Sequence, residues 1–152
     1  MNLHICEVTS NNWREVANLS LNKDQQKFIE STAFCLAESR FEENSTSVSL
    51  YDGKQLIGYA MYGWYCDEDQ SIWLDRFMID ASFQGKGYAK PLLRLLIEYL
   101  HQKFHCKTIY LSIHPDNKFA LRLYESIGFR LNGEIDEEWQ FGFGLEMEFS
   151  IN

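Results

Sequence analysis

Proline is scarce in this chain: Pro91 and Pro115 are the only two in 152 residues, and no glycine-, serine- or proline-rich stretch divides one part from another. With 45% hydrophobic residues and no such break, a single globular domain spanning residues 1–152 is expected. A chain of this length buries roughly 70% of the surface its unfolded form exposes, enough to enclose a site. Cysteine is sparse as well. Cys6, Cys35, Cys66 and Cys106 stand 29, 31 and 40 residues apart, with neither a CxxC pair nor a Cys/His cluster. That spacing argues against a zinc site and a disulfide framework, and for reduced thiols in a cytoplasmic protein. The first residues carry no basic or apolar leader, and no run approaches the ~20 apolar residues of a membrane helix, so neither secretion nor a membrane partner is expected.

Positive charge is also scarce, and unevenly placed. The net charge is −8, yet residues 81–130 hold eight basic side chains against three acidic ones, a local +5 that leaves −13 elsewhere. Nucleic acid is a poor partner for so acidic a surface. The split suits an enzyme of two substrates, an anion held by the basic part and a cation drawn to the acidic part.

Hydrophobic spacing outlines the elements. Residues 3–8 read as a strand. Asn11 or Asn12 is placed to cap a helix running to Leu19, and a second helix over residues 31–41 carries Phe34, Ala37 and Phe41 on one face. Residues 47–65 read as a hairpin turning at Asp52-Gly53 in type I′ geometry. A strand over 72–79 leads into a glycine-bearing loop at 84–89, and then a long helix with Leu92, Leu93, Leu96, Ile97, Leu100 and Phe104 at helical spacing. A strand (108–113), a helix (117–127, stopped by Gly128) and two terminal strands follow. In the last of these Leu145, Met147, Phe149 and Ile151 alternate with Glu146, Glu148 and Ser150.

The loop Gln84-Gly85-Lys86-Gly87-Tyr88-Ala89 joins a strand to a helix N-terminus, where glycines let successive amides converge on an anion. It is neither a Walker A loop nor a dinucleotide fingerprint. Gln84-x-x-Gly87-x-Ala89 resembles the Q/R-x-x-G-x-G/A signature of the GNAT-type N-acetyltransferase superfamily, and residues 74–80 resemble that family's fourth strand. Asn117-x-x-Ala120-x-x-x-Tyr124-x-x-x-Gly128-Phe129 is similar to the family's second signature at every anchor.

The resemblance implies an α+β fold: a mixed, mostly antiparallel sheet of about seven strands flanked by helices, splayed at strand 72–79 and loop 84–89. It implies acetyl-CoA as co-substrate and no metal. Gly85, Lys86, Gly87, Tyr88, Ala89 and Lys90 would hold its pyrophosphate, and Gln84 would also bind the cofactor. The strand around Phe77, Met78 and Ile79 would pair with the pantetheine arm, Asn117 would hydrogen-bond the cofactor, and Tyr124 would protonate the departing thiolate. Family members are often dimers, which makes a homodimer possible here.

Moving an acetyl group from a thioester to an amine requires alignment, a donor for the carbonyl oxygen and a neutral amine. The backbone N–H of Met78 or Ile79 is the expected donor. An amine with a lysine-like pKa of about 10.4 is neutral about one part in a thousand near pH 7.4, so its deprotonation accounts for roughly 4 kcal/mol of the barrier. Asp75 is the first candidate to take that proton, directly or through water. Strand alternation groups it with Trp73, Phe77 and Ile79, and the polyamine acetyltransferases that the chain resembles carry a carboxylate there. His114 is the alternative. Glu30, Glu38, Glu42, Glu43, Asp67, Glu68 and Asp69, with the aromatic faces of Trp64 and Tyr65, suggest a cationic acceptor. With the strand match, they make the chain resemble spermidine/spermine (diamine) N-acetyltransferases, with Glu30, Glu38, Trp64 and Asp75 against the polyamine. Arg76 departs from that pattern, since such enzymes often place a second acid there. A protein N-terminus, an aminoglycoside or a small metabolite remains as an alternative acceptor, and a non-catalytic coenzyme A binding module is the third reading.

Overall fold

The structure, a computed structural model, describes residues 1–149, so Ile151 and Ser150 lie outside the described residues. In chain order the elements are β1 (Leu3–Glu7), α1 (Trp13–Ala17), α2 (Thr32–Phe41), β2 (Ser45–Asp52), β3 (Gln55–Cys66), β4 (Ser71–Ile79), α3 (Ala89–Phe104), β5 (Thr108–Ile113), α4 (Lys118–Ser126), β6 (Arg130–Asp136) and β7 (Gly142–Glu148). The strands form one seven-stranded sheet in the order β1-β2-β3-β4-β5-β7-β6. Every pair is antiparallel except β4 with β5, which α3 connects as a crossover. The expected α+β sheet is therefore present.

Two layers cover the sheet. On one face Leu93, Leu96, Ile97 and Leu100 of α3 pack with Ile72, Leu74, Ile109, Leu111, Ile113 and Leu145. This is the apolar stripe that the helical spacing of α3 foretold. Leu145 is fully buried in this core, with Met147 and Phe149 packed against it, so the apolar face of β7 serves the core. On the other face Val16 of α1 and Cys35 of α2 meet Tyr59 and Met61 of β3 and Met78 of β4. These two helices cover only the β2-β3-β4 half of that face, and among the described residues no helix covers β5, β7 and β6 there.

Several local expectations are corrected. α1 stops at Ala17, and Asn12 does not cap it with its side chain. Its carboxamide instead accepts the Thr9 N–H and donates to Glu7, Ser49 and Tyr51, tying the helix start to the sheet. α2 is capped by Ser31, whose hydroxyl accepts the Phe34 N–H at 3.2 Å, but its buried residues are Thr32 and Cys35. Phe34 and Phe41 are 56% and 83% exposed, so the face that carries them points outward. The hairpin turns on Gly53 and Lys54, with Asp52 paired to Gln55. Gly53 alone is left-handed there (φ 59°), the pattern of a type II′ turn and not the expected I′.

The most consequential correction is in β4. Met61 pairs with Arg76 but Tyr62 pairs with Leu74, so Asp75 is an extra residue, a β-bulge. One extra residue reverses the alternation. Ile72 and Leu74 before the bulge, and Phe77 and Ile79 after it, all pack on the α3 side, while Met78 packs with α1 and α2. Asp75 therefore does not share a simple strand face with Trp73, Phe77 and Ile79.

Candidate active site

β4 and β5 run together only through Ser71, Ile72 and Trp73. Beyond the bulge they separate, and the gap is a cavity of about 530 Å³. Its walls are the free edge of β4, the loop into α3, the end of β5, the inner face of α4 and the segment between α1 and α2. Of the residues assigned to the cofactor from sequence, Phe77, Met78, Ile79, Gln84, Gly85, Gly87, Tyr88, Ala89, Lys90, Asn117 and Tyr124 line it, and so does Asp75. Lys86 does not: its ammonium lies over the Phe83 ring, 5.5 Å from the centroid. Of the eight basic residues in the +5 segment only Lys90 lines the cavity, so the local charge excess is mostly elsewhere on the surface.

The backbone of β4 discriminates between its residues. The Asp80 N–H donates to the Ile57 carbonyl at 2.9 Å, which makes that pair hydrogen-bonded across the ladder. Antiparallel alternation then turns the Met78 amide towards Tyr59, and those of Phe77 and Ile79 away from β3 into the gap. The Ile79 carbonyl agrees, since it accepts from Gln84 Nε2 at 2.9 Å on that side. Of the two donors expected for a carbonyl oxygen, Met78 is engaged in the sheet and Ile79 is free.

The loop presents amides with little competition. Gly85 and Gly87 have φ of 76° and 84°, and a Cβ on either would meet nothing within 4 Å, so glycine is required there by conformation and not by crowding. Helix α3 has neither a side-chain cap nor an acidic residue in its first turn, which leaves its N-terminal amides to an anion. The Gln84 side chain braces the loop, donating to Gln25 Oε1 as well as to Ile79 and accepting from Asn22. The Tyr88 hydroxyl is turned to Asp52 at 2.7 Å. Gly87→Val would force a β-branched residue to a left-handed φ. We expect it to weaken coenzyme A binding at least about tenfold by calorimetry while the melting temperature changes by a few degrees; unchanged affinity would remove the loop from the binding site.

Among the titratable side chains that line this cavity, Asp75, Tyr124 and His114 have different environments. Asp75 is largely buried, and its Oδ2 has no hydrogen-bond partner among the described residues. Burial pushes its carboxyl up to about 7, Arg76 opposing and Glu38 reinforcing that rise. Tyr124 is 8% exposed, and burial alone raises its hydroxyl above the usual tyrosine range. His114 Nδ1 accepts the Asp116 N–H at 3.0 Å, so the neutral ring carries its proton on Nε2 and offers no lone pair to an amine. Asn117 sits just before α4 and not within it. Its Oδ1 caps the helix through the Ala120 N–H at 3.2 Å, and its amide nitrogen is left for other partners.

A second cavity, a groove of about 1060 Å³, occupies the half of the sheet that α1 and α2 leave uncovered. It shares Leu74, Asp75, Arg76, Ser112 and Trp139 with the first, so the two open onto each other at the bulge. Glu38, Asp69, Asp75, Glu134, Asp136, Glu138 and Glu146 line the groove against one basic residue, Arg76, with Trp64, Trp73, Tyr110 and Trp139 among them. Glu38, Asp69 and Trp64 were singled out from sequence. The β6 and β7 carboxylates were not, although the alternation of Glu146 with Leu145 and Met147 marked it as opposite the core. Glu42, Glu43, Asp67, Glu68 and Tyr65 do not line the groove. Glu30 lines neither cavity; it and Glu38 take the Arg76 guanidinium, Nε to Glu30 at 3.0 Å and Nη2 to Glu38 at 3.5 Å.

The sequence model described as the acetyltransferase (GNAT) family matches residues 11–129. The chain belongs to the GNAT acetyltransferases. Acetyl-CoA is therefore its acyl donor, and the free β4 edge, the glycine loop and the open N-terminus of α3 suit that ligand's extended arm and phosphates. The chain is 40% identical over 141 residues to the spermine/spermidine N(1)-acetyltransferase of Bacillus subtilis, covering 90% of this chain and 93% of the relative. It is 41% identical to the [ribosomal protein bS18]-alanine N-acetyltransferase of Haemophilus ducreyi, but over 74 residues, 49% of this chain and 48% of that one. In fold it is similar to the spermidine N-acetyltransferase from Vibrio cholerae in complex with CoA and spermine. The TM-score is 0.78 at 22% identity, over 97% of this chain and 95% of that one. Among the described residues no helix is long and apolar enough to cross a membrane.

Proposed function

We propose that this GNAT enzyme acetylates a primary amine of spermidine or spermine by direct attack of that amine on the acetyl-CoA thioester. The acidic groove carries the reading. Seven carboxylates against one arginine, interleaved with four aromatic rings, suit a long cation whose methylene stretches lie on the rings and whose ammonium groups lie near the carboxylates. The near full-length similarity to a Bacillus subtilis spermine/spermidine acetyltransferase supports the same acceptor.

In this mechanism the amine nitrogen bonds the acetyl carbon and the carbon–sulfur bond breaks, with no covalent enzyme intermediate. Asp75 takes the proton from the amine, its elevated pKa making it a competent base near neutrality, whereas His114 has no free lone pair to offer. The Ile79 N–H stabilises the carbonyl oxygen as it becomes anionic. Tyr124 gives its proton to the departing thiolate. The amides of residues 84–90 and the start of α3 hold the pyrophosphate, the Phe77 and Ile79 edge pairs with pantetheine, and the Asn117 amide nitrogen donates to the cofactor. Glu38 and Trp64, joined by Asp69, Glu134, Asp136, Glu138 and Glu146, receive the polyamine.

The partial match to an enzyme acting on a ribosomal protein keeps an α-amine as the competing acceptor. A panel of spermine, spermidine, putrescine, alanyl peptides and an aminoglycoside, with product masses, separates the two. We expect polyamines to turn over with a kcat/KM that falls roughly tenfold between 50 mM and 1 M salt, as screening shortens from above 10 Å to about 3 Å. No turnover with any polyamine would overturn the reading.

A further inference from the structure

Arg76 stands where a second acid was expected, and its surroundings give it a task. We infer that Arg76 is a positioning residue for acetyl transfer: clamped by Glu30 and Glu38, its guanidinium holds the Asp75 carbonyl at the β4 bulge and sets the charge beside the Asp75 carboxylate. The side chain is 16% exposed and its three kinds of nitrogen each have a partner: Nε on Glu30 at 3.0 Å, Nη2 on Glu38 at 3.5 Å and Nη1 on the Asp75 carbonyl oxygen at 2.9 Å. A bulged residue falls out of the ladder, so its orientation must come from elsewhere. The planar fork supplies it by tying that peptide to carboxylates 38 and 46 residues distant in sequence, which a lysine's single nitrogen cannot reproduce.

The same clamp fixes the electrostatics at the bulge. The titratable groups lining the two cavities that meet at Asp75 are Arg76 on β4, Glu38 on α2, Tyr88 and Lys90 at the start of α3, Tyr110 and His114 on and after β5, Tyr124 on α4, and Cys66, Asp69, Glu134, Asp136, Glu138 and Glu146 around the groove, while Glu30 and Cys35 act on Arg76 from the α2 side. Arg76 favours the carboxylate over the acid and Glu38 disfavours it, against a burial that dominates both. Removing the two groups therefore has opposite consequences for a base at position 75. A side chain that merely braced the fold would not produce opposite signs.

The inference rests on Asp75 being the base, and the experiment separates the two claims. The pH dependence of kcat/KM for spermidine is measured for the wild type and for Arg76→Met, Arg76→Lys, Glu38→Gln and Asp75→Asn, with coenzyme A affinity confirming a folded enzyme. We expect the acidic limb to move up by one pH unit or more in Arg76→Met and down in Glu38→Gln. In Arg76→Lys the limb stays near the wild-type position while kcat falls, since charge is kept and the fork lost. Limbs that stay put, or move in the same direction, in Arg76→Met and Glu38→Gln overturn the inference. If Arg76→Met does not fold, Glu38→Gln alone decides, an unmoved limb being the overturning result. A wild-type limb retained in Asp75→Asn removes the base itself, and the inference with it.

Discussion

Asp75→Asn is expected to lower kcat/KM for spermidine by about 10²–10⁴ at pH 8 and to abolish the acidic limb of the pH profile. Asparagine keeps the shape of the side chain and the bulge but cannot take a proton. The wild-type limb should lie near pH 7, where burial has raised this carboxyl from 3.8 to about 7. The same shift has a consequence for stability. The folded state binds this proton more tightly than the unfolded state, so the stabilisation is complete below about pH 4 and is lost as pH rises through 7. A side chain that cannot ionise escapes that loss. Asp75→Asn should therefore be more stable than the wild type at pH 8–9, on the order of 2 kcal/mol after discounting for partial exposure, and no more stable at pH 4. Thermal melts at the two pH values check it. An active Asp75→Asn enzyme with an unaltered profile would move the proton acceptor to another group or to water.

Tyr124→Phe is expected to lower kcat and kcat/KM together by about 10²–10³ while coenzyme A affinity stays within about twofold. The cavity around Tyr124 is apolar, and a thiolate released into it would lack solvent. A proton arriving as the carbon–sulfur bond breaks removes that penalty. Because burial raises the Tyr124 hydroxyl above the ordinary tyrosine range, the group stays protonated across any usual assay pH and should add no alkaline limb. Phenylalanine retains the packing against Phe129, whose ring centroid lies 5.5 Å away, so the variant tests the hydroxyl alone. An equal loss in coenzyme A affinity would make Tyr124 a binding residue and not an acid.

The features readable along the chain were those governed by local chemistry. Gly85 and Gly87 are left-handed because the loop into α3 demands it, and only glycine adopts such angles freely. The apolar spacing of α3 survived intact because a long regular helix fixes which side chains share a face. Asn117 and Tyr124 line one cavity although Asn117 is the cap before α4 and not part of its helical spacing. Periodicity failed where regularity failed. The inserted residue at Asp75 reversed every later side chain of β4, and no composition signal marks a bulge. The shared face of Phe34 and Phe41 did not say which side of α2 packs, and the packing residues are Thr32 and Cys35.

By itself, then, the sequence determined the strand–loop–helix with its two left-handed glycines and the family to which the chain belongs, because glycine conformation and helical spacing act within a few residues. Tertiary structure alone assembled the acidic groove. It drew Glu134, Asp136, Glu138 and Glu146 into one groove with Asp69 and Asp75 by placing β7 between β5 and β6, and it closed Glu30 and Glu38 on Arg76. Those encounters depend on strand order and on a single bulge, neither of which is written in the spacing of any one segment.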